Sequence, residues 1–530
     1  MDSVETTTEL GVKSAGVATY LFFGKIISTI IGAVMFVIMA ILLRPVGYGI
    51  YTLAISIAGL IGTVGDLGTD VYFNRHIAKF AAEKKFKKIS IALGDGMMAI
   101  TLISIVLIAI GILIGKVFLT KMFSGNLDAF YVALVSIFIV SLYNIQYNVL
   151  ISFRDKKAVA ISAVVNAAIQ AIASISLVLI GFGPLGAVAG FVLGLSGAEV
   201  INIFSILKHS SIKFDIRGMF SRIKKMLSFS LPIAGSDMMS SAVGYLSVTV
   251  LGLMLVPTAI IGQYGVAGKV GAVIDVVSGS IGAVLISTFA TALGSRKMKK
   301  DISNLYNYSV YFGMLLSLPV IIYVTVLSKS IVLAVFGASY SYVILYMPLI
   351  AIGILISTIA TYSSSLVISI GKTKTVLKYT AIVSAVDIAS FILIPLFRLF
   401  GEYATAIAVI FAMYYIGSFV SMYLYIKYLK NNGIKISYNR FTRLGVASIA
   451  FAICLTPLFF LGSMHMPRLD DLAVALLGAL AMILLYPPIV AYSGAVSSKE
   501  LDMLRNVGRK TPFIGAVINL MMRYASLFLR

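Results

Sequence analysis

The chain has 530 residues, 60% hydrophobic and 12% charged, with a mean hydropathy of +1.03. A soluble domain is about 45–50% apolar and about 25% charged, so a soluble globule, a disordered tail and a fibrous protein are excluded. The net charge of +22 would suggest nucleic acid in a soluble protein; in so apolar a chain it is assigned to basic loops that orient membrane helices, and no nucleic-acid partner is expected.

Residues 1–13 are polar and read as a cytoplasmic tail. The apolar stretch that follows is too long for a signal-peptide core and reads as a retained first helix. A membrane-crossing helix needs roughly 20 mostly apolar residues. Apolar runs separated by charge or by Gly and Pro give fourteen candidate spans: 14–43, 48–72, 90–115, 129–153, 158–181, 184–207, 227–255, 259–292, 303–327, 342–368, 375–397, 402–427, 442–463 and 471–493. The expected fold is therefore an all-α polytopic membrane protein.

The basic residues test this alternation. With both termini inside, the outside loops hold only Arg44, Lys116, Lys121, Lys329, Arg398 and Arg468. Lys25 and Lys269 fall within spans, and every other Lys and Arg lies on an inside segment. One missed or invented helix would scramble that pattern, so the termini are expected in the cytoplasm and the chain in the cell membrane. The loop 73–89 interleaves Lys79, Lys84, Lys85, Lys87 and Lys88 with Phe80 and Phe86, which suits anionic lipid beside a membrane helix. In the tail 497–530, Ile514, Val517, Ile518 and Met521 recur at helical spacing; it reads as a cytoplasmic amphipathic helix, on the membrane or on the bundle.

Two parts of the chain echo each other. Gly49-Ile-Tyr51-Thr-Leu-Ala54 matches Gly262-Gln-Tyr264-Gly-Val-Ala267 at an offset of 213, and Pro45 matches Pro257 at 212. Arg154 and Lys156 match Lys372 and Lys374 at 218, as does Gly183 with Gly401. Their order and near-constant offset imply two parallel six-helix repeats around a central cavity. The expected organisation is a helical lobe at 14–207, a basic linker at 208–226, a second lobe at 227–430, two extra helices within 431–496 and the tail.

The segment Leu43-Arg-Pro-Val-Gly-Tyr-Gly-Ile-Tyr51, followed by Gly65-Asp-Leu-Gly68, resembles polysaccharide biosynthesis proteins of the Wzx-type flippase family. So do Phe229-Ser-Leu-Pro232 with Gly262-Gln-Tyr264, and Phe336-Gly-Ala-Ser-Tyr340 with Gly371-Lys-Thr-Lys374. The resemblance runs from about residue 12 to 430. The superfamily also holds MATE drug antiporters and lipid II flippases. The resemblance implies two lobes around a cavity lined by the first two helices of each. It also implies transport, without bond-making, of polyprenyl-pyrophosphate-linked oligosaccharide to the outer leaflet. Lipid-linked oligosaccharide and membrane lipids are then the expected partners, with other polysaccharide-assembly proteins as further candidates.

A charge at mid-membrane costs roughly 2.5–3.5 kcal/mol on insertion scales and needs a reason. Lys25 lies about eleven residues into the first span, roughly 17 Å deep at 1.5 Å per residue. At the offset of 212 its mate is Asp237. We expect Lys25 to bind the substrate's pyrophosphate and Asp237 to be its resting partner; the plain alternative is a structural ion pair. Lys269 is a second phosphate candidate, and Arg75 a headgroup contact at the cavity mouth. Asp66 and Asp70, at i and i+4 on one helix face, are candidates for coupling cation or proton, beside a local network with Arg75 and His76. Asp275 is a further coupling candidate. Glu199 and Asp387 read as packing or interlobe hydrogen-bond residues, and Asp95 as lying near the cytoplasmic interface.

Cys454 is the sole cysteine, so a disulfide within the chain and a Cys-cluster metal site are excluded. Gly371-Lys-Thr373 lacks the upstream glycine of a phosphate-binding loop. No cofactor or metal is implied. Two other readings compete. A MATE-like cation antiporter would want a carboxylate where Lys25 stands, and its cationic substrates would be repelled by Lys25 and Lys269. A polyprenyl-dependent glycosyltransferase needs clustered external carboxylates, whereas Asp128, Glu402, Asp470, Asp471 and nearby His465 are scattered over three loops.

Overall fold

The structure, a computed structural model, describes residues 2–66, 68–123, 127–153, 155–215, 217–292, 298–436, 439–464, 467–496 and 524, with the backbone alone at 2–23 and at several positions elsewhere. His465 and the tail 497–523 lie outside the described residues. The described residues are helical and contain no strand. In chain order the α-helices are α1 (Asp2–Asp66), α2 (Thr69–Ala82), α3 (Phe86–Ile114), α4 (Asp128–Ser152), α5 (Lys156–Leu177), α6 (Gly183–His209), α7 (Met219–Leu253), α8 (Thr258–Ala292), α9 (Met298–Val326), α10 (Ser328–Val335), α11 (Ser341–Ser369), α12 (Thr373–Ser390), α13 (Leu393–Arg398), α14 (Glu402–Ile410), α15 (Ile416–Asn431), α16 (Asn439–Ser463) and α17 (Arg468–Tyr492).

Among the described residues, nine helical runs are long and apolar enough to cross a membrane. Two of them, Gly24–Gly65 and Lys156–His209, have 42 and 54 residues, far more than the ~20 that one crossing uses. Each is interrupted where the hydropathy reading separates two spans. In the first, Arg44 leaves helical geometry (φ 54°, ψ 173°), and Pro45 behind it disfavours the α conformation there. In the second, Gly181 (φ 108°) and Gly183 (φ 52°) take conformations that side chains resist.

Two expectations are corrected. The stretch 73–89 is mostly helix: α2 runs to Ala82, and only a short turn precedes α3 at Phe86. Asp66 and Asp70 do not share a helix face, because α1 ends at Asp66 and Gly68, in the left-handed conformation (φ 64°), precedes α2. Hydropathy carries no signal for a helix running on beyond the membrane, and Gly68 is an ordinary glycine until its φ is known.

The chain forms two compact units, Met1–Gly265 and Val266–Arg530. In the first, α6 packs against α4 and α5. Its glycine face allows close approach: Gly190 sits on Ser174, Gly194 on Asn166 and Gln170, and Gly197 on Ile169. Phe73, Ile77, Ile89, Ile100, Ile145, Val149 and Ile206 form a core where α2, α3, α4 and α6 meet. The second unit is stitched by tyrosines. Tyr306 shares a hydrogen bond with Ser363 (2.8 Å), Tyr323 donates to the Ala475 carbonyl (3.0 Å), Tyr415 to that of Leu349 (2.9 Å) and Tyr311 to that of Ala495. A buried phenol combines a large apolar ring with a donor that finds a backbone acceptor.

A close backbone approach in the first unit joins α1 to the start of α8. A Cβ on Gly49 would lie 1.8 Å from the Thr258 carbonyl oxygen, and one on Gly262 would lie 2.0 Å from that of Pro45. The two glycines of the sequence match therefore face each other, and each occupies the site the other's copy predicts. Thr52 and Gly265, also 213 apart, meet in the same seam. Gly49→Val should destabilise the protein by at least the ~1–3 kcal/mol typical of overpacking. The control Gly32→Ala, which meets nothing within 4 Å, should not. Melting temperatures in detergent decide it: a Gly49→Val protein as stable as the control would remove the crossing from the fold's essentials.

Candidate functional site

A cavity among the described membrane helices lies in the first unit. It measures about 210 Å³ and is walled by the second half of α1 (Ile55 to Thr63), by α4, by Phe191 of α6 and by α7. Glycines make room for it: Gly59 lies under the ring of Tyr245, and Gly62 and Gly65 lie against Ile137. Among the described residues its polar lining is neutral, comprising Thr63, Ser136, Ser141, Asn144, Ser241 and Tyr245. Thr63 and Ser136 donate to their own helix backbones at Leu60 and Ala133 (both 2.6 Å), which satisfies them without an outside partner and leaves their oxygens able to accept. Hydroxyls and amides beside aliphatic and aromatic walls suit a ligand rich in hydroxyl groups. A search for intramembrane charge misses these residues. The signal that finds them is Ile137, Val140, Ser141 and Asn144 at helical spacing along α4.

The charged candidates are distributed as follows. Lys25 lies on the first half of α1 and is exposed. Its neighbour Gly24 backs onto Ala160 of α5, where a Cβ would stand 2.7 Å from the Ala160 Cβ. The Lys25 carbonyl accepts from Ser28 Oγ at 3.0 Å. Lys25 makes no ion pair among the described residues. Asp237 is on α7, which packs along α1, but its side chain lies outside the described residues, as do those of Asp66, Asp70 and Arg75. Lys269 and Asp275 are both exposed on α8, in the second unit.

The two acids read as packing or hydrogen-bond residues differ in their surroundings. Asp387 of α12 accepts the backbone N–H of Gly417, whose missing side chain lets the carboxylate approach α15. Glu199 on α6 is buried, and its Oε1 has no hydrogen-bond partner among the described residues; Gln146 on α4 and Asn202 on α6 are buried in the same state. His76 stacks on Tyr72 (centroids 4.1 Å apart), with Nδ1 3.2 Å from the Tyr72 carbonyl.

The sharpest charge interaction is one the sequence does not announce. Asp95 of α3 is buried, and Arg222 of α7 grips it with Nε and Nη2 at 2.5 and 2.9 Å. The same guanidinium donates to the carbonyls of Asp215 (2.6 Å) and Arg217 (2.7 Å). The hydrogen bonds to the Asp95 carboxylate hold the Arg222 pKa above its ordinary value. The pair thus clamps the α6–α7 linker onto α3. Arg222→Ala would strand a buried carboxylate and should cost about 3 kcal/mol, the low end for a buried pair because Arg222 is itself partly exposed. Adding Asp95→Asn should restore part of that stability. A double variant that melts no higher than Arg222→Ala alone would refute the clamp.

Comparisons with known proteins follow the same outline. A family model described as polysaccharide biosynthesis protein matches residues 16–293. No curated protein matches the chain. Among solved structures, the lipid II flippase MurJ in an inward closed conformation is similar with a TM-score of 0.69 and 18% identity, covering 88% of this chain and 98% of that one. An inward-facing multidrug resistance MATE family transporter of the MOP superfamily is similar at 0.65 and 14%, covering 76% and 94%. An outward-facing MATE family transporter is similar at 0.51 and 13%, covering 79% and 96%. At these identities the likeness is one of fold.

Proposed function

Since this chain belongs to the polysaccharide biosynthesis protein family, we propose that it is a flippase carrying polyprenyl-pyrophosphate-linked oligosaccharide from the cytoplasmic to the outer leaflet by alternating access. The observation that carries this reading is the family match over 16–293, joined to a fold shared with a lipid II flippase over most of both chains. Both kinds of solved neighbour are transporters. The fourteen-span topology, with both termini in the cytoplasm and the chain in the cell membrane, belongs to the same proposal; other polysaccharide-assembly proteins are candidate partners.

The chemistry divides between charge and hydroxyls. Lys25 supplies an ammonium without an ion-pair partner among the described residues, and Lys269 offers a second. A phosphate at 4 Å from one such cation gains about 4 kcal/mol at an effective dielectric constant of 20. Asp237 is the resting counter-charge of Lys25, displaced when pyrophosphate arrives, and Arg75 contacts the headgroup at the cavity mouth. Asp66, Asp70 and Asp275 are the coupling candidates. The neutral cavity of Ser136, Ser141, Asn144, Ser241 and Tyr245 fits the sugar hydroxyls.

The MATE-like antiporter reading has the fold in its favour, with a TM-score of 0.65. Lys25 and Lys269 count against it, since they repel a cationic cargo.

In a host lacking the gene, lipid-linked oligosaccharide should accumulate in the cytoplasmic leaflet. The wild-type gene should restore export, Lys25→Arg should retain much of it, and Lys25→Ala should lower the rate about 10- to 100-fold, the loss expected for a charge-assisted hydrogen bond. An unchanged lipid pool with altered drug or cation sensitivity would move the antiporter to first place.

A further inference from the structure

The cytoplasmic end of the first unit holds a second place for an anion. The start of α3, the end of α6 and the linker behind it enclose an open crevice of about 470 Å³ lined by Lys87, Ser90, Lys208, Ser210, Ser211 and Lys213. Two apolar runs end here: one begins at Phe86 and another ends at His209, and both residues line the crevice. In the proposed topology these run ends face the lipid headgroups.

The crevice is built, not incidental. Ser90 Oγ donates to the Phe86 carbonyl (3.0 Å) and lies 3.1 Å from both Ser210 Oγ and Ser211 Oγ. The linker is held in place by the Lys213 N–H to the Ser90 carbonyl (3.0 Å), by Gly94 seated under the Lys213 carbonyl, and by Arg222 on the Asp215 carbonyl. Among the described residues no carboxylate lines it. Of the acids nearby, Asp155 pairs with His209 at its rim (3.0 Å), Asp215 accepts the Arg217 N–H (3.1 Å), Glu83 pairs with Lys85 (2.6 Å), and Asp95 with Arg222. Lys87, Lys208 and Lys213 are exposed and form no ion pair among the described residues.

Three ammonium groups around a cluster of hydroxyls offer more positive charge and more donors than a single phosphodiester can use. A pyrophosphate diester, with two charges and more oxygens, matches them better. We propose that this crevice binds the pyrophosphate headgroup of the lipid-linked substrate in the cytoplasmic leaflet, ahead of Lys25. The choice of occupant rests on the flippase reading; the anion site itself does not.

The test uses the full-length protein in detergent micelles and native mass spectrometry with three probes: polyprenyl pyrophosphate, polyprenyl monophosphate and phosphatidylglycerol. Wild type should bind the pyrophosphate lipid most tightly. The triple variant Lys87→Ala, Lys208→Ala, Lys213→Ala should bind it about 10- to 100-fold more weakly, from the roughly 1 kcal/mol that each basic residue contributes near an anionic lipid surface. The corresponding triple Arg variant should retain binding and guards against misfolding. Unchanged binding by the Ala variant overturns the proposal, and if export persists the flippase reading survives it. Phosphatidylglycerol bound as tightly as the pyrophosphate lipid also overturns it and leaves an ordinary anionic-lipid site. Loss of pyrophosphate binding in the variant, with no export by wild type, upholds the site and removes the flippase reading.

Discussion

The first unit depends on one close approach, the backbone-to-backbone crossing of α1 and α8 at Gly49 and Gly262. No other residue type fits at either position without moving a carbonyl oxygen. The crossing is reached only because α1 is broken at Arg44-Pro45, so its second half starts on a new axis. In lipid the hydrophobic effect does not draw helices together, and close packing of small residues takes its place. The short glycine-rich motifs that mark the family are, in this chain, the parts on which that packing rests.

Both units bring helices together on glycines, and each adds polar contacts of its own. The first has the charged clamp of Asp95 and Arg222. The second uses tyrosine hydroxyls reaching backbone carbonyls across helices. Both means satisfy polar groups within the protein, as an apolar surround requires. The first unit's cavity keeps its hydroxyls and amides among α1, α4 and α7, where Thr63 and Ser136 are already satisfied by their own helices.

Much of the fold was legible in the sequence. Long apolar runs marked the helices, and the breaks at Arg44 and at Gly181–Gly183 fell between predicted spans because Pro and Gly announce them. The matched glycines Gly49 and Gly262 were visible as a repeat, though their direct contact was not. Hydropathy failed at α2, which is a helix of mixed polarity, and at Gly68, whose conformation separates Asp66 from Asp70. The candidate site was less legible. Lys25 and Lys269 stood out because charge inside an apolar run is conspicuous. Ser136, Ser141 and Asn144 did not, since small polar residues are common in membrane helices. The Asp95–Arg222 pair joins residues 127 apart, and no local pattern in the chain links them.

That separation has a consequence for synthesis. Asp95 is made long before its counter-ion. At about 5–20 residues per second, Arg222 follows some 6–25 s later, and α4, α5 and α6 are made in between. During that interval the carboxylate must stay hydrated at the membrane surface or be protonated. The bundle of the first unit can therefore close the end held by this pair only after the start of α7 leaves the ribosome, which makes the clamp a late step in biogenesis as well as a contact in the finished protein.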